Sequence, residues 1–580
     1  MSARAARALP ALALLASATG AQQVQGAADR IRLDQVGYLP TAPKLAVVVD
    51  STATRFAVLR VAGGDTAFSG ALSAPGRWAP SGETVRRADF GALRRPGRYR
   101  LVVPGVGVSH PFEIADTVFT PVARAAIKAF YFQRASTALD AAHAGRWARP
   151  AGHPDDSVVV HPSAASAKRP AGTVLSSPRG WYDAGDYNKY IVNSGISTWL
   201  LLALDEHFPD YARALRTDVP ESGDALPDVV DEALWNVRWM LTMQDPGDGG
   251  VYHKLTHAEF DAMQMPHRSV ATRWVVQKST AAALDFAAVM ATAARTARRY
   301  PQALPALADS LVAAATAAWR WAEAHPDSLY DQRRLNAAHR PAINTGEYGD
   351  RRVDDERRWA AAELYLTTRD AVYLPVAATI ATQPARVPGW PQVGALGLYS
   401  LLQHRASLPP SLDASALEAR LLTLAGSLVA RRRASPYEVT LADSDFVWGS
   451  NAVAADQGIA LLQAYRITRD TAYLHGALAQ LDYLLGRNAT GYSFVTGIGA
   501  KPPRLPHHRP SAGDTVAAPV PGLLVGGPNP RQQDRCPGYP STLPARSYVD
   551  ATCSYAANEI AINWNAPLAY LAGAIDALRR

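Results

Sequence analysis

Cysteine is nearly absent from these 580 residues: there are two, Cys536 and Cys553, in one C-terminal segment. No Cys-x-x-Cys pair or Cys/His spacing argues for a zinc cluster. Export would permit a bond between the two thiols, and two free thiols fit the sequence equally well. Apolar runs long enough to cross a bilayer are missing after the N-terminus, and none there is long enough either. Charge is sparse, 19% of residues against 48% hydrophobic, so the chain can bury a large core and is not a disordered protein. The net charge is +8, but the basic residues are scattered arginines. The longest run, Arg431-Arg432-Arg433, ends a helical pattern, where cations complement the helix dipole. Neither a nucleic-acid nor a membrane partner is expected. A fixed repeat length, the mark of an open helical solenoid, is lacking as well.

What is present divides into three parts. Arg4 and Arg7 precede ALPALALLASATGA, which ends in Thr19-Gly20-Ala21. That pattern predicts a secretory signal over residues 1–21 and a soluble protein outside the cell or in the periplasm. From 30 to 116 short runs such as KLAVVVD, FAVLRVA and GRYRLVVPG alternate at period two between turns at Gly63-Gly64 and Pro96-Gly97. They predict a small β-sandwich. From 117 to 580 apolar residues recur every three or four positions and predict about a dozen helices. Many are joined by short turns, among them TTRDAVYL and ITRDTAYL, in which Asp370 and Asp470 can cap the next helix. A dozen antiparallel helices bury their apolar faces best by closing on themselves, so the fold class is mainly α, an α/α barrel behind a β-sandwich. Long stretches rich in Gly, Pro, His, Trp and Tyr, at 140–188, 245–278, 325–353, 433–450 and 488–564, are expected to gather at one end and build a site.

Three of these stretches contain the chemistry. In GWYDAGDYNKY, residues 180–190, Asp183 and Asp186 stand three apart among Trp181, Tyr182, Tyr187 and Tyr190. One aspartate can cap a helix and the other fill a turn, or the pair can hold and deprotonate a water. In SFVTGIGAKPPRLPHHRP, residues 493–510, Gly497, Gly499 and the prolines stiffen the approach to His507, His508 and Arg509, donors suited to sugar hydroxyls. In SYVDATCSYAANEIAINWNAP, residues 547–567, Asp550 and Glu559 lie nine apart, and Glu559 precedes an apolar stretch whose burial would keep it protonated, as a general acid requires.

Taken together the three resemble glycoside hydrolase family 9, the inverting cellulases of family E. The match rests on Pro506-His507-x-Arg509, on Asp550, Tyr555, Glu559, Ala561 and Asn565-Ala566, and on the aspartate loop; it spans about 117–580. The preceding segment, with DQVGYLP and RPGRYRLVV, looks like the family's immunoglobulin-like module. The resemblance implies an (α/α)6 barrel that cuts β-1,4-glucan with inversion. Glu559 would be the acid, Asp186 the base, Asp183 a second holder of the water, and Asp550 an orienting carboxylate. His507 and Arg509 would grip sugar, with Trp181, Trp448 (in DFVWGSN) and Trp564 as aromatic surfaces. No cofactor is required. Relatives bind calcium through a comparable acidic loop, here Asp350, Asp354, Asp355 and Glu356, although the arginines among them can neutralise it equally well. The cysteines of a zinc site found in some relatives read Ala135 and Gly152 here, leaving His153 and His161, so no zinc is expected. A monomer is expected. The alternatives are an exo-acting β-glycosidase on cello- or glucosamine-oligosaccharides, and a non-catalytic glycan-binding protein. Retention of Asp186 and Glu559 speaks against the latter.

Overall fold

Period-two alternation becomes ten strands: Ile31–Arg32 (β1), Gly37–Tyr38 (β2), Leu45–Val48 (β3), Arg55–Arg60 (β4), Thr66–Ala71 (β5), Gly76–Trp78 (β6), Glu83–Asp89 (β7), Gly97–Val103 (β8), Gly107–Val108 (β9) and Phe112–Ile114 (β10). The computed structural model describes residues 29–579, so the expected signal at 1–21 lies outside the described residues. One sheet runs β1-β3-β7-β6 and the other β2-β10-β8-β4-β5, with β9 on β8. All pairs are antiparallel except β2 with β10. Alternate residues Phe56, Val58, Tyr99, Leu101, Phe112 and Ile114 fill the space between the sheets. Gly37 cannot be replaced there, since a Cβ would stand 1.9 Å from the Glu113 carbonyl.

Among the described residues eleven helices have ten residues or more: Thr120–Gln133 (α1), Ile191–His207 (α2), Asp228–Thr242 (α3), Thr280–Arg299 (α4), Leu307–Ala324 (α5), Asp354–Thr368 (α6), Gly394–Gln403 (α7), Ala414–Ala434 (α8), Ser450–Thr468 (α9), Thr471–Leu484 (α10) and Ile562–Leu578 (α11). The helix expected after Asp370 is broken into a turn, the five residues Leu374–Ala378 and another turn. Packing runs α2 to α4 to α6 to α7 to α8 to α9 to α11 and back to α2, with α1, α3, α5 and α10 against that circuit. Burial is deep within the circuit. Residues 191–205 of α2 and 562–576 of α11 are enclosed on every face, which is why their sequences read as continuous apolar runs. Asp370 and Asp470 cap the helical turns after them, each accepting a backbone N–H two residues on.

The long stretches hold structure that alternation did not announce. Val158–Val160 (β11), Val174–Leu175 (β12), Lys189–Tyr190 (β13), Lys254–Thr256 (β14) and Trp274–Val275 (β15) form a sheet in the order β12-β11-β15-β14-β13. Strands of two or three residues are too short to show a period. This sheet fixes the end of the aspartate loop against α2.

Candidate active site

The loop 180–190 is buried from Trp181 through Tyr190, so its polar groups must be satisfied internally. The Asp183 N–H donates to the Asn188 carbonyl, and the Asp183 carbonyl accepts from Ile562, which fastens the loop to the start of α11. The Asp183 carboxylate accepts from Asn193 Nδ2 at 2.8 Å and from the Tyr348 hydroxyl at 2.9 Å. Asp186 Oδ2 accepts from Asn188 Nδ2 and, at 3.4 Å, from the Tyr190 hydroxyl. Its Oδ1 is buried without any partner. Burial first, then the charge of Asp186, pushes the Asp183 carboxyl up to about 8.

Gly185 is where the distant segments meet. A Cβ there would lie 2.2 Å from the His507 carbonyl. The Gly185 N–H faces the Glu559 carboxyl, and its carbonyl accepts from Arg509 through both N–H, at 3.1 Å, and Nη1, at 2.8 Å. His507 and Glu559 stand side by side in a parallel bridge. Glu559 keeps part of its surface open, yet burial of its carboxyl and then the charge of Asp186 hold it well above the usual carboxyl range. Asp183 adds to the effect and Arg509 opposes it. Three carboxyl groups thus share one field, the condition under which one retains a proton while another ionises.

The remaining expectations divide. His507 Nδ1 lies 2.7 Å from the Thr552 carbonyl, which places the proton on Nδ1 and leaves Nε2 as an acceptor. Burial lowers its pKa and keeps the ring neutral. Asp550 accepts from the Arg504 and Leu505 N–H groups at 2.8 and 2.9 Å and from Asn558, so it pins the histidine loop to the segment bearing Glu559. Arg509 is 5% exposed and spends its donors on the Gly185 and Asp261 carbonyls, bracing the loop more than reaching outward. Trp181 is a correction: it is fully buried, donates to Glu232 at 2.7 Å and packs on Phe130, leaving no face for a sugar. Trp564 is corrected likewise, since it is 8% exposed and wedged against Gly449 and Gly526. Trp448 stays available at 43% exposure, its ring 5.4 Å from that of Tyr555, which in turn reaches His507. Cys536 and Cys553 are bonded, with Cα atoms 5.5 Å apart, and tie the Glu559 segment to the preceding loop.

Of the acidic loop, Asp350, Asp355 and Glu356 are drawn inward while Asp354 is exposed and takes no part. Asp285 of α4 joins instead, fully buried with both carboxylate oxygens unpartnered. Burial and mutual repulsion raise Asp285, Glu356 and Asp350 above the usual range. His161 bonds Ser163 and the Pro341 carbonyl. His153 meets His257 and Asp261, with ligand atoms within 4.8 Å of one another, a group able to hold a metal ion that the sequence separation of 153 and 257 concealed. Both Nε2 atoms there are buried and unpartnered, but Arg273, Lys189 and Arg149 crowd positive charge onto His153. Sequence reasoning also missed Tyr348, Asn188 and Asn193, polar residues whose role depends on contacts across the fold. Only the tyrosine in NTGEYGDRR, beside the acidic loop, offered a cue.

A helical unit whose loops bring a shielded acid to an aspartate pair is the arrangement of a glycoside hydrolase. The chain belongs to glycosyl hydrolase family 9, whose pattern matches residues 119–572, with a cellulase N-terminal ig-like domain at 26–108. It is 46% identical to a xyloglucan-specific endo-beta-1,4-glucanase of Bacteroides ovatus over 95% of this chain and 94% of that one. Endoglucanase D of Acetivibrio thermocellus is 34% identical, over 94% and 84%. A solved Bacteroides ovatus GH9 structure superposes with a TM-score of 0.91 at 45% identity, covering 95% of this chain and 100% of that one.

Proposed function

We propose that this protein is a secreted endo-β-1,4-glucanase that inverts the sugar it cleaves. The observation that supports it best is the buried, unpartnered Oδ1 of Asp186 in the same field as a carboxyl, Glu559, held protonated. Glu559 protonates the departing glycosidic oxygen. Asp186 draws a proton from a water on the opposite ring face, and Asp183 holds that water from the other side. His507 Nε2 accepts from a sugar hydroxyl beside the broken bond, and the exposed face of Trp448 receives a sugar ring. Asp550 and Arg509 keep the two loops in register. In this reading residues 1–21 are the signal, 30–116 the immunoglobulin-like module and 117–580 an (α/α)6 barrel. The protein acts as a monomer, without nucleic acid or membrane. Glu559→Gln and Asp186→Asn are expected to lower turnover on soluble β-1,4-glucan by about a thousand-fold or more each while the protein stays folded. A folded Glu559→Gln or Asp186→Asn protein of near-normal rate sinks the assignment.

The similarity to a xyloglucan-specific enzyme supports a second reading, in which the preferred glucan is branched. Initial rates on xyloglucan, carboxymethyl cellulose and cello-oligosaccharides separate the two. Falling viscosity with few new reducing ends marks internal cuts and excludes the exo-acting alternative. No cofactor enters the chemistry. Asp285, Asp350 and Glu356 leave buried carboxylate oxygens without partners, and together with Asp355, which accepts from Gln392 and Val393, they would offer hard oxygen ligands to a structural calcium ion. Removing calcium with a chelator is expected to lower the melting temperature by about 5 °C or more, restored by calcium and not by magnesium. A melting curve indifferent to both treatments rejects the site.

A further inference from the structure

Lys254 is a fully buried ammonium with no carboxylate bonded to it. Its Nζ donates to Gln332 Oε1 at 2.7 Å, Thr345 Oγ1 at 3.1 Å and the Gly346 carbonyl at 2.5 Å, all of them neutral acceptors. Of the other enclosed lysines, Lys189 pairs with Asp155 at 2.7 Å and Lys278 with Asp245 at 2.6 Å, while Lys44, in the β module and far from the carboxyl cluster in sequence, donates only to the Pro40, Ala42 and Gly91 carbonyls. Keeping a charge inside a protein without a direct partner is expensive, so its neighbours are informative. The negative groups acting on Lys254 are Asp186 and, more weakly, Glu347.

The lysine is linked to both members of the aspartate pair through intervening side chains. In the β13–β14 ladder it lies opposite Tyr190, and Nζ sits 5.5 Å from the Tyr190 ring centre and 5.5 Å from that of Tyr330. Tyr190 donates to Asp186, and its ring lies 4.7 Å from that of Tyr348, which donates to Asp183. Thr345 and Gly346, the groups that Lys254 grips, immediately precede Glu347 and Tyr348 in the chain. Two residues along the same strand, Thr256 donates to Asn188 Oδ1, and Asn188 donates to Asp186. Substitution at Gly346 would place a Cβ 2.9 Å from the Tyr190 hydroxyl, so this packing has little slack.

We propose that Lys254 is a positioning residue of the water-activating side, setting the two phenols on Asp183 and Asp186 and supplying positive charge beside the three clustered carboxyls. The proposal rests on the hydrolase reading above. The groups that face the ammonium are Asp186 and Tyr190 from the aspartate loop and β13, Glu347 from the loop before α6, Tyr330, and its neutral chain neighbour His253. Burial lowers Lys254 to about 7, so part of its field fades as pH rises past neutrality.

The test is the pH profile of kcat/KM for Lys254→Met, which keeps the length and loses the charge, and Lys254→Arg, which keeps the charge. For the Met variant the acid limb, where the base must lose its proton, is expected to move up by roughly one pH unit. Turnover should fall roughly ten- to a hundred-fold with KM changed far less. The Arg variant should keep the wild-type acid limb whatever its loss of rate. If the Met protein fails to fold by its melting curve, Lys254→Gln, which can still donate to Gly346, is read in its place. A folded neutral variant with an unmoved acid limb overturns the proposal, as does an Arg variant that shifts as far as Met. Those outcomes leave the hydrolase reading intact provided that Glu559→Gln and Asp186→Asn are inactive. A wild-type protein inert on every β-glucan overturns both.

Discussion

At the scale of single residues, the site trades stability for chemistry. Asp183 is held near 8 against an ordinary value near 4, so the folded chain keeps a proton that the unfolded chain releases. Stability therefore falls as pH rises from about 4 to about 8, because over that window the unfolded state gains the favourable ionisation. Asn at this position loses the titration but retains groups for Asn193 and Tyr348. Asp183→Asn is thus expected to melt with the wild type at pH 4 and about 2–4 °C above it at pH 8, at a severe cost in turnover. Calorimetry across that range decides it, and a constant difference at all pH values means that packing, not ionisation, is responsible.

At the scale of elements, legibility followed period and length. Sandwich strands such as β4 and β8 showed their inward residues by alternation, and α2, α4 and α9 by long apolar helical patterns, so their places were readable. The capping aspartates 370 and 470 were readable because capping is local. The sheet β11–β15 was not, being pieces of two or three residues whose longest pairing joins Val159 to Trp274. Among site residues, Asp183, Asp186 and Glu559 stood out because short motifs preserve them as sequence. Trp181 and Trp564 misled for a physical reason: an aromatic beside a polar loop reads the same whether its ring faces sugar or core, and only burial separates the cases. Tyr348 carried only its place beside the acidic loop as a local mark, and Lys254 none at all. Their significance comes from neighbours 165 and 68 residues away, respectively Asp183 and, through Tyr190 and Asn188, Asp186.

At the scale of the whole molecule, the β module is built into the catalytic unit rather than strung beside it. Gln35 accepts from Ala500 and Lys501 at 2.9 and 2.8 Å and donates to Gly491, so the module holds the root of the loop that ends in His507. Trp78 packs 4.4 Å from Tyr437, whose hydroxyl donates to Glu83. Deeper in the junction Asp34 faces Asp482, with Arg487 as the adjacent cation. Burial first, then the charge of Asp482, raises Asp34 well above the usual range, while burial lifts Asp482 to about 6 despite Arg487. Protons that the unfolded chain gives up above pH 4 are kept at this junction, so the hold between the two units weakens as pH rises from about 4, through the value near 6 of Asp482 and on to the higher one of Asp34. Asp34→Asn removes the repulsion and can still accept from Val36 and Gly37. It is expected to raise the melting temperature at pH 8 by about 1–3 °C and to change nothing at pH 4. If the junction also steadies the histidine loop, the same variant should widen the alkaline side of the activity profile. A protein stabilised at pH 8 with an unaltered profile would confine the module to a purely mechanical part.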